Sequence, residues 1–126
     1  MPHTPLIAII DDDESLRLAT ASLLRSTGYK TEHFACAEDF LDSGDTFRFA
    51  CIIADIQMPG MDGIDLTCML LAADDKTKVV LMTARTEQDI HTRARASGAM
   101  RLLHKPFEAQ ILLNCVVAAL SDQNKH

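Results

Sequence analysis

The feature that most constrains this chain is an alternation. Five short runs with strand character, at residues 6–10, 30–34, 50–54, 78–82 and 100–103, most of them apolar, are each followed by a segment with helical signals. Three of the runs are β-branched or leucine-rich without polar alternation, the pattern of strands covered on both faces of a parallel sheet. Between the runs, Leu16, Ala19, Leu23 and Leu24 mark one apolar helix face, and Gly28 is placed to end that helix. Residues 38–42 predict a short second helix closing near Gly44. Ile64, Cys68 and Leu71 recur at helical spacing after Asp62, a candidate N-cap. Thr86 and Asp89 have the look of a capping box, with Gly98 ending that helix. Its apolar anchors are nearly confined to Ile90 and Ala94, either an accident of composition or the mark of a segment that moves. Phe107, Ile111, Cys115 and Ala118 define a last helix after Pro106. Five β–α units in succession predict a right-handed, doubly wound α/β sheet. The ends, "MPHTP" and "SDQNKH", read as flexible tails.

Bulk numbers narrow the class. At 126 residues the chain makes one domain, able to bury roughly two thirds of the surface its unfolded form exposes. No apolar run approaches the ~20 residues that span a bilayer, so a cytoplasmic setting is the default expectation. A net charge of −6 argues against direct nucleic-acid binding, which wants a basic face. Cys36, Cys51, Cys68 and Cys115 lack C-x-x-C spacing and read as buried free thiols of a reducing compartment.

In such a sheet, function gathers at the carboxyl ends of the strands. The sequence places Asp11, Asp12, Asp13 and Glu14 after the first run, Asp55 at the end of the third, Thr83 after the fourth and Lys105 after the fifth. Clustered carboxylates repel one another, and a hard divalent cation removes the conflict. Magnesium takes one or two protein carboxylates together with a phosphate, and Asp11, Asp12 and Asp55 suit it. Lys105 offers a point positive charge to a phosphoryl oxygen, and Thr83 a hydroxyl donor. These are parts for in-line phosphoryl transfer, and a carboxylate is itself a competent nucleophile toward phosphorus. Asp13 and Glu14 read instead as the dipole-favoured start of the first helix. His104 reads as a solvent-facing strand end, and the methionines as packing. There is no P-loop, G-x-S-x-G or G-x-G-x-x-G pattern.

Four stretches, "IIDDDESLR", "IIADIQMPGMDG", "LMTA" and "HKPF", stand in order across the chain from Leu6 to about Leu120. Together they resemble the receiver domain of two-component response regulators, most of all the receivers of FixJ- or NarL-type transcription factors. The resemblance implies a flavodoxin-like fold with strand order 2-1-3-4-5 and five helices. It implies one receiver domain over residues 1–126, core about 6–120, with no output domain in this chain. That leaves open an isolated receiver portion or a stand-alone regulator. The resemblance further implies that a sensor histidine kinase phosphorylates Asp55 in a Mg²⁺-dependent reaction. Asp11, Asp12, Asp55 and the main-chain carbonyl of Gln57 would hold the ion, and Thr83 and Lys105 would bind the phosphoryl oxygens. Ala84 would leave room for that group, and Lys105–Pro106 resembles a lysine–proline step that is often cis. The chain would catalyse only its own phosphorylation and slow autodephosphorylation, and so is not expected to be an enzyme.

Two departures from the family pattern shape further expectations. Leu102 stands where receivers usually carry an aromatic ring, so a ring-rotation switch cannot operate. The signal is then expected to pass through Thr83 and the strand 4–helix 4 segment. Gln57 and Arg85 occupy variable positions beside the phosphoryl group, and both are expected to contact it and tune its lifetime. The face of helix 4, strand 5 and helix 5, around Ile90, His91, Arg93, Arg95 and Arg101, is expected to switch, serving a homodimer or a transcriptional output. Two competing readings are a phosphorylation-independent interaction module, toward which Leu102 leans, and a Mg²⁺-dependent phosphatase. The phosphatase would want a second acid two residues after its nucleophile, where Gln57 stands.

Overall fold

Each of the five runs becomes a strand, and the strands divide their apolar side chains between two cores. The computed structural model of the chain describes residues 4–73 and 77–123. Strands β1 (Leu6–Ile10), β2 (Lys30–Phe34), β3 (Cys51–Asp55), β4 (Lys78–Thr83) and β5 (Arg101–His104) form one parallel sheet, ordered β2-β1-β3-β4-β5. Because successive side chains point to opposite faces, Ile7, Ile9, Cys51, Ile53, Val80 and Met82 share one core with α1 (Glu14–Ser26) and α5 (Ala109–Gln123). Ala8, Ile10, Ile52, Ala54, Val79 and Leu81 enter the other, beneath α2 (Ala37–Asp42), α3 (Gly63–Ala72) and α4 (Gln88–Ala96). This is the doubly wound α/β architecture with the expected strand order.

Local chemistry sets the helix ends that matter for the strand tips. The Asp13 carboxylate accepts the Leu16 N–H at 3.1 Å and caps α1; that of Asp62 accepts the Asp65 N–H at 2.7 Å and caps α3. After α1, Gly28 takes φ +103°, with the Gly28 N–H on the Arg25 carbonyl and the Tyr29 N–H on that of Leu24. That pairing closes a helix through a left-handed residue, which glycine adopts without a Cβ clash.

Several local expectations are corrected. Ala19 is exposed, and Thr20, Ala21 and Leu24 face the core instead. On α3, Cys68 and Leu71 are exposed while Ile64, Leu66, Thr67 and Leu70 are buried. On α5, Ile111 is exposed and Leu112, Cys115, Val116 and Ala119 are inside. Both helices are apolar nearly all round, so several faces match a helical repeat and contact with the sheet selects one. The last helix begins at Ala109, leaving Phe107 ahead of it. The Thr86–Asp89 capping box does not form: α4 begins at Gln88 with Glu87 as an N-cap that makes no side-chain bond. Among the thiols, Cys51 and Cys115 are buried, Cys36 is half-buried and Cys68 is exposed; all four are free. Of the two expected tails, residues 1–3 and 124–126 lie outside the described residues, while residues 121–123 continue α5.

At the β2 edge, Phe34, Phe40 and Phe49 pack together with ring centroids 5.3–6.2 Å apart. Phe40 is fully buried among them. Phe40→Ala is expected to cost about 3–5 kcal/mol, read as a lower urea midpoint, because the rigid sheet cannot close over the void.

Candidate functional site

Parallel strands deliver their last residues to one edge, and two carboxylates, a hydroxyl and an ammonium arrive there. Asp11 directly follows β1 and is fully buried; Asp55 and Thr83 are the last residues of β3 and β4, both buried; Lys105 directly follows β5. Lys105 Nζ donates to Asp11 Oδ2 at 3.1 Å and to Asp55 Oδ2 at 2.9 Å. Asp12 is exposed, yet one carboxylate oxygen from each of Asp11, Asp12 and Asp55 lies within 4.8 Å of the others. The Lys105–Pro106 peptide bond is cis.

The second carboxylate oxygens are held by the backbone. Asp11 Oδ1 accepts the Asp13 N–H at 3.0 Å, and Asp55 Oδ1 accepts the Gln57 N–H at 3.2 Å. Arg17 reaches back from α1 to donate Nη1–H to the Asp11 carbonyl at 2.8 Å, with its Nε on His33 Nδ1 at 3.3 Å. The loop after β3 is fixed from α2, where Glu38 Oε2 accepts the Met61 N–H at 2.9 Å. That bond is the main cause holding the Glu38 carboxyl below its ordinary value. Gly63 lies so close beneath β3 that a Cβ there would sit 2.5 Å from the Asp55 carbonyl oxygen and 3.0 Å from Leu81 Cδ2. Arg17, Glu38 and Gly63 escape the sequence reading. Gly63 and Arg17 do lie within quoted stretches, as the last residues of "IIADIQMPGMDG" and "IIDDDESLR", whereas Glu38 lies in none of them.

The remaining candidates take more varied places. The Thr83 hydroxyl donates to Gln57 Oε1 at 2.8 Å and accepts the Arg85 N–H at 3.0 Å. Ala84 is exposed. The Arg85 guanidinium pairs through Nε with Glu87 at 3.2 Å, and the Arg85 backbone N–H donates to Thr83. Leu102 is half-buried and lines a hollow of about 380 Å³ between α4 and β5, with His91, Arg95, Arg101 and His104 around it. Ile90 and Arg93 instead line a hollow of about 490 Å³ beside the β3–α3 loop, shared with Gln57 and Arg85. The expected switch face is therefore two hollows on either side of α4.

Burial is the largest influence on Asp55 and raises its pKa; Lys105 opposes the rise and the neighbouring Asp11 adds to it. For Lys105, burial alone favours the neutral amine, but hydrogen bonds to Asp55 and Asp11 outweigh it and raise the pKa, so the ammonium stays charged. Two buried acids bridged by one cation, with a third acid at the solvent edge, form an all-oxygen donor set that fits a small hard divalent ion.

Comparison with known proteins gives this edge its family. Residues 7–117 match the response regulator receiver domain. The chain is 33% identical over 120 residues to the transcriptional regulatory protein FixJ of Azorhizobium caulinodans, covering 95% of this chain and 57% of that protein. A CheY-like receiver domain protein from Methanospirillum hungatei superposes with a TM-score of 0.90 at 24% identity, over 97% of this chain and 98% of that one. The response regulator StyR matches at 38% identity and a TM-score of 0.86, over 94% of this chain and 60% of that one. The chain belongs to the receiver domains of two-component response regulators, and it spans little more than half of the FixJ protein it resembles.

The raised pKa of Asp55 has a sign that stability can read. Folded protein holds the Asp55 proton more tightly than unfolded chain does, so stability falls as pH rises from the unfolded carboxylate range through the folded value. Asp55→Asn removes the buried charge while Asp11 keeps Lys105 paired. In metal-free buffer the variant is expected to show a higher urea midpoint than the parent at pH 7, with the advantage shrinking as pH falls below the folded pKa. Equal midpoints at pH 7 would contradict the burial argument.

Proposed function

We propose that this domain is a phosphorylation switch in which Asp55 takes a phosphoryl group from a sensor histidine kinase. The observation that carries the reading is the double hydrogen bond of Lys105 to Asp11 and Asp55 at the sheet edge. An Asp55 carboxylate oxygen forms the new bond to phosphorus as the phosphorus–nitrogen bond of the phosphohistidine breaks, its electron pair leaving on the imidazole. Lys105 turns from the Asp55 carboxylate to a phosphoryl oxygen, and the Thr83 hydroxyl donates to another. Asp11, Asp12, Asp55 and the main-chain carbonyl of Gln57 would hold Mg²⁺, which when bound supplies positive charge to the phosphoryl oxygens. The domain acts on itself and is not an enzyme with a separate substrate.

The reading is tested with acetyl phosphate and Mg²⁺, following intact mass. A single adduct is expected, lost in Asp55→Asn and lost on chelating the metal, with Lys105→Met reducing its rate of formation by a factor of ten or more, as the loss of about 1.4 kcal/mol or more of charge stabilisation implies. An adduct that persists in Asp55→Asn would place the acceptor elsewhere.

The output belongs to the same proposal. Its transcriptional character is suggested by the transcriptional regulatory protein FixJ, of which this chain covers 57%. Helix α4 has Ala94 as its one buried residue, with Ile90 only half-buried, so it is the helix most cheaply displaced when Thr83 moves. Binding of beryllofluoride with Mg²⁺ is expected to shift backbone NMR resonances of α4 more than those of α1. An unchanged α4 would remove it from the signal path. Among the described residues no helix is long and apolar enough to cross a membrane, and the free thiols accord with a cytoplasmic setting.

A further inference from the structure

Thr83 is fully buried, and its hydroxyl has a single proton to give. That proton goes to Gln57 Oε1 at 2.8 Å, while an oxygen lone pair takes the Arg85 N–H at 3.0 Å. The carboxamide presents its oxygen because a buried O–H left without an acceptor is costly. The same proton cannot serve Gln57 and a phosphoryl oxygen together.

Resting on the reading of Asp55 as phosphoacceptor, we infer that Gln57 is a positioning residue that latches Thr83 in the resting domain. Any occupant of the Asp55 site recruits Thr83 only by breaking the Gln57 bond. Gln57 is suited to the role because it touches both ends of the path. Its N–H lies on Asp55 Oδ1 at 3.2 Å, and its carboxamide holds Thr83. A change in the Asp55 carboxylate therefore reaches the latch through one residue. The exchange is also close to balanced. Gln57 is half-buried beside an open hollow, so its freed carboxamide finds water, while Thr83 finds its new acceptor inside. Near balance, the loss of one hydrogen bond changes the populations measurably.

The test is a double-mutant cycle on beryllofluoride affinity in excess Mg²⁺, measured by calorimetry on the parent, Gln57→Met, Thr83→Val and the double variant. Gln57→Met is expected to tighten binding roughly three- to tenfold, the equilibrium weight of one neutral hydrogen bond, and to change nothing when Thr83 is already valine. Unchanged or weaker binding in Gln57→Met, or the same gain in both backgrounds, overturns the latch. If Thr83→Val does not fold, the Arg85 amide resonance decides. In ligand-free Gln57→Met it is expected to move toward its beryllofluoride-bound position, and an unmoved resonance overturns the latch. A folded parent that binds no beryllofluoride would instead overturn the phosphoacceptor reading, and the latch with it.

Discussion

The site depends on one ammonium group held between two buried carboxylates. Lys105 comes 94 residues after Asp11 and 50 after Asp55, and meets both at the end of a sheet it enters from the β5 edge. Without that cation, two acids at the mouth of an apolar sheet would oppose folding through desolvation and mutual repulsion. With it they stand close together and only partly neutralised. A buried pair of this kind adds little net stability over an apolar replacement. Its physical consequence is poise: an arrangement short of positive charge, which a metal ion and a transferred phosphoryl group can rearrange.

The scaffold around this pair is rigid on one side and loose on the other. Asp55 is pinned from beneath by Gly63, whose missing Cβ lets α3 approach its carbonyl, and its following loop is tied to α2 through Glu38 and Met61. Asp11 is held through its carbonyl by Arg17. On the far side of Thr83, α4 buries only Ala94 and starts without a side-chain cap. Such a contrast lets a change of charge at Asp55 leave the acceptor in place while the neighbouring helix responds.

Much of this was legible in the chain itself. The runs at residues 6–10 and 30–34 coincide with strands, and the others differ by a residue or two at their ends, because parallel pairing of Asp55 with Met82 and Thr83 with His104 extends β3 and β4. The acids, hydroxyl and lysine of the site were visible as residues closing those runs. Helix faces were less legible. In "GIDLTCMLLA" so many positions are apolar that period alone cannot separate Cys68 and Leu71, which are exposed, from Leu66 and Leu70, which are buried. The pairing of the Arg85 guanidinium with Glu87 was not legible in the chain.

By itself, the sequence determined the alternation of strands and helices, the glycine and aspartate signals that begin and end those helices, and the placing of charge at strand ends. Each of these follows from interactions within a few residues or from solvent exclusion, which local pattern encodes. The tertiary structure alone decided that Lys105 bridges Asp11 and Asp55, that Glu38 fastens Met61 from 23 residues away, and that Thr83 gives its proton to Gln57, 26 residues distant. Those bonds depend on strand register and on differences of an ångström between neighbouring side chains, and no spacing along the chain records them.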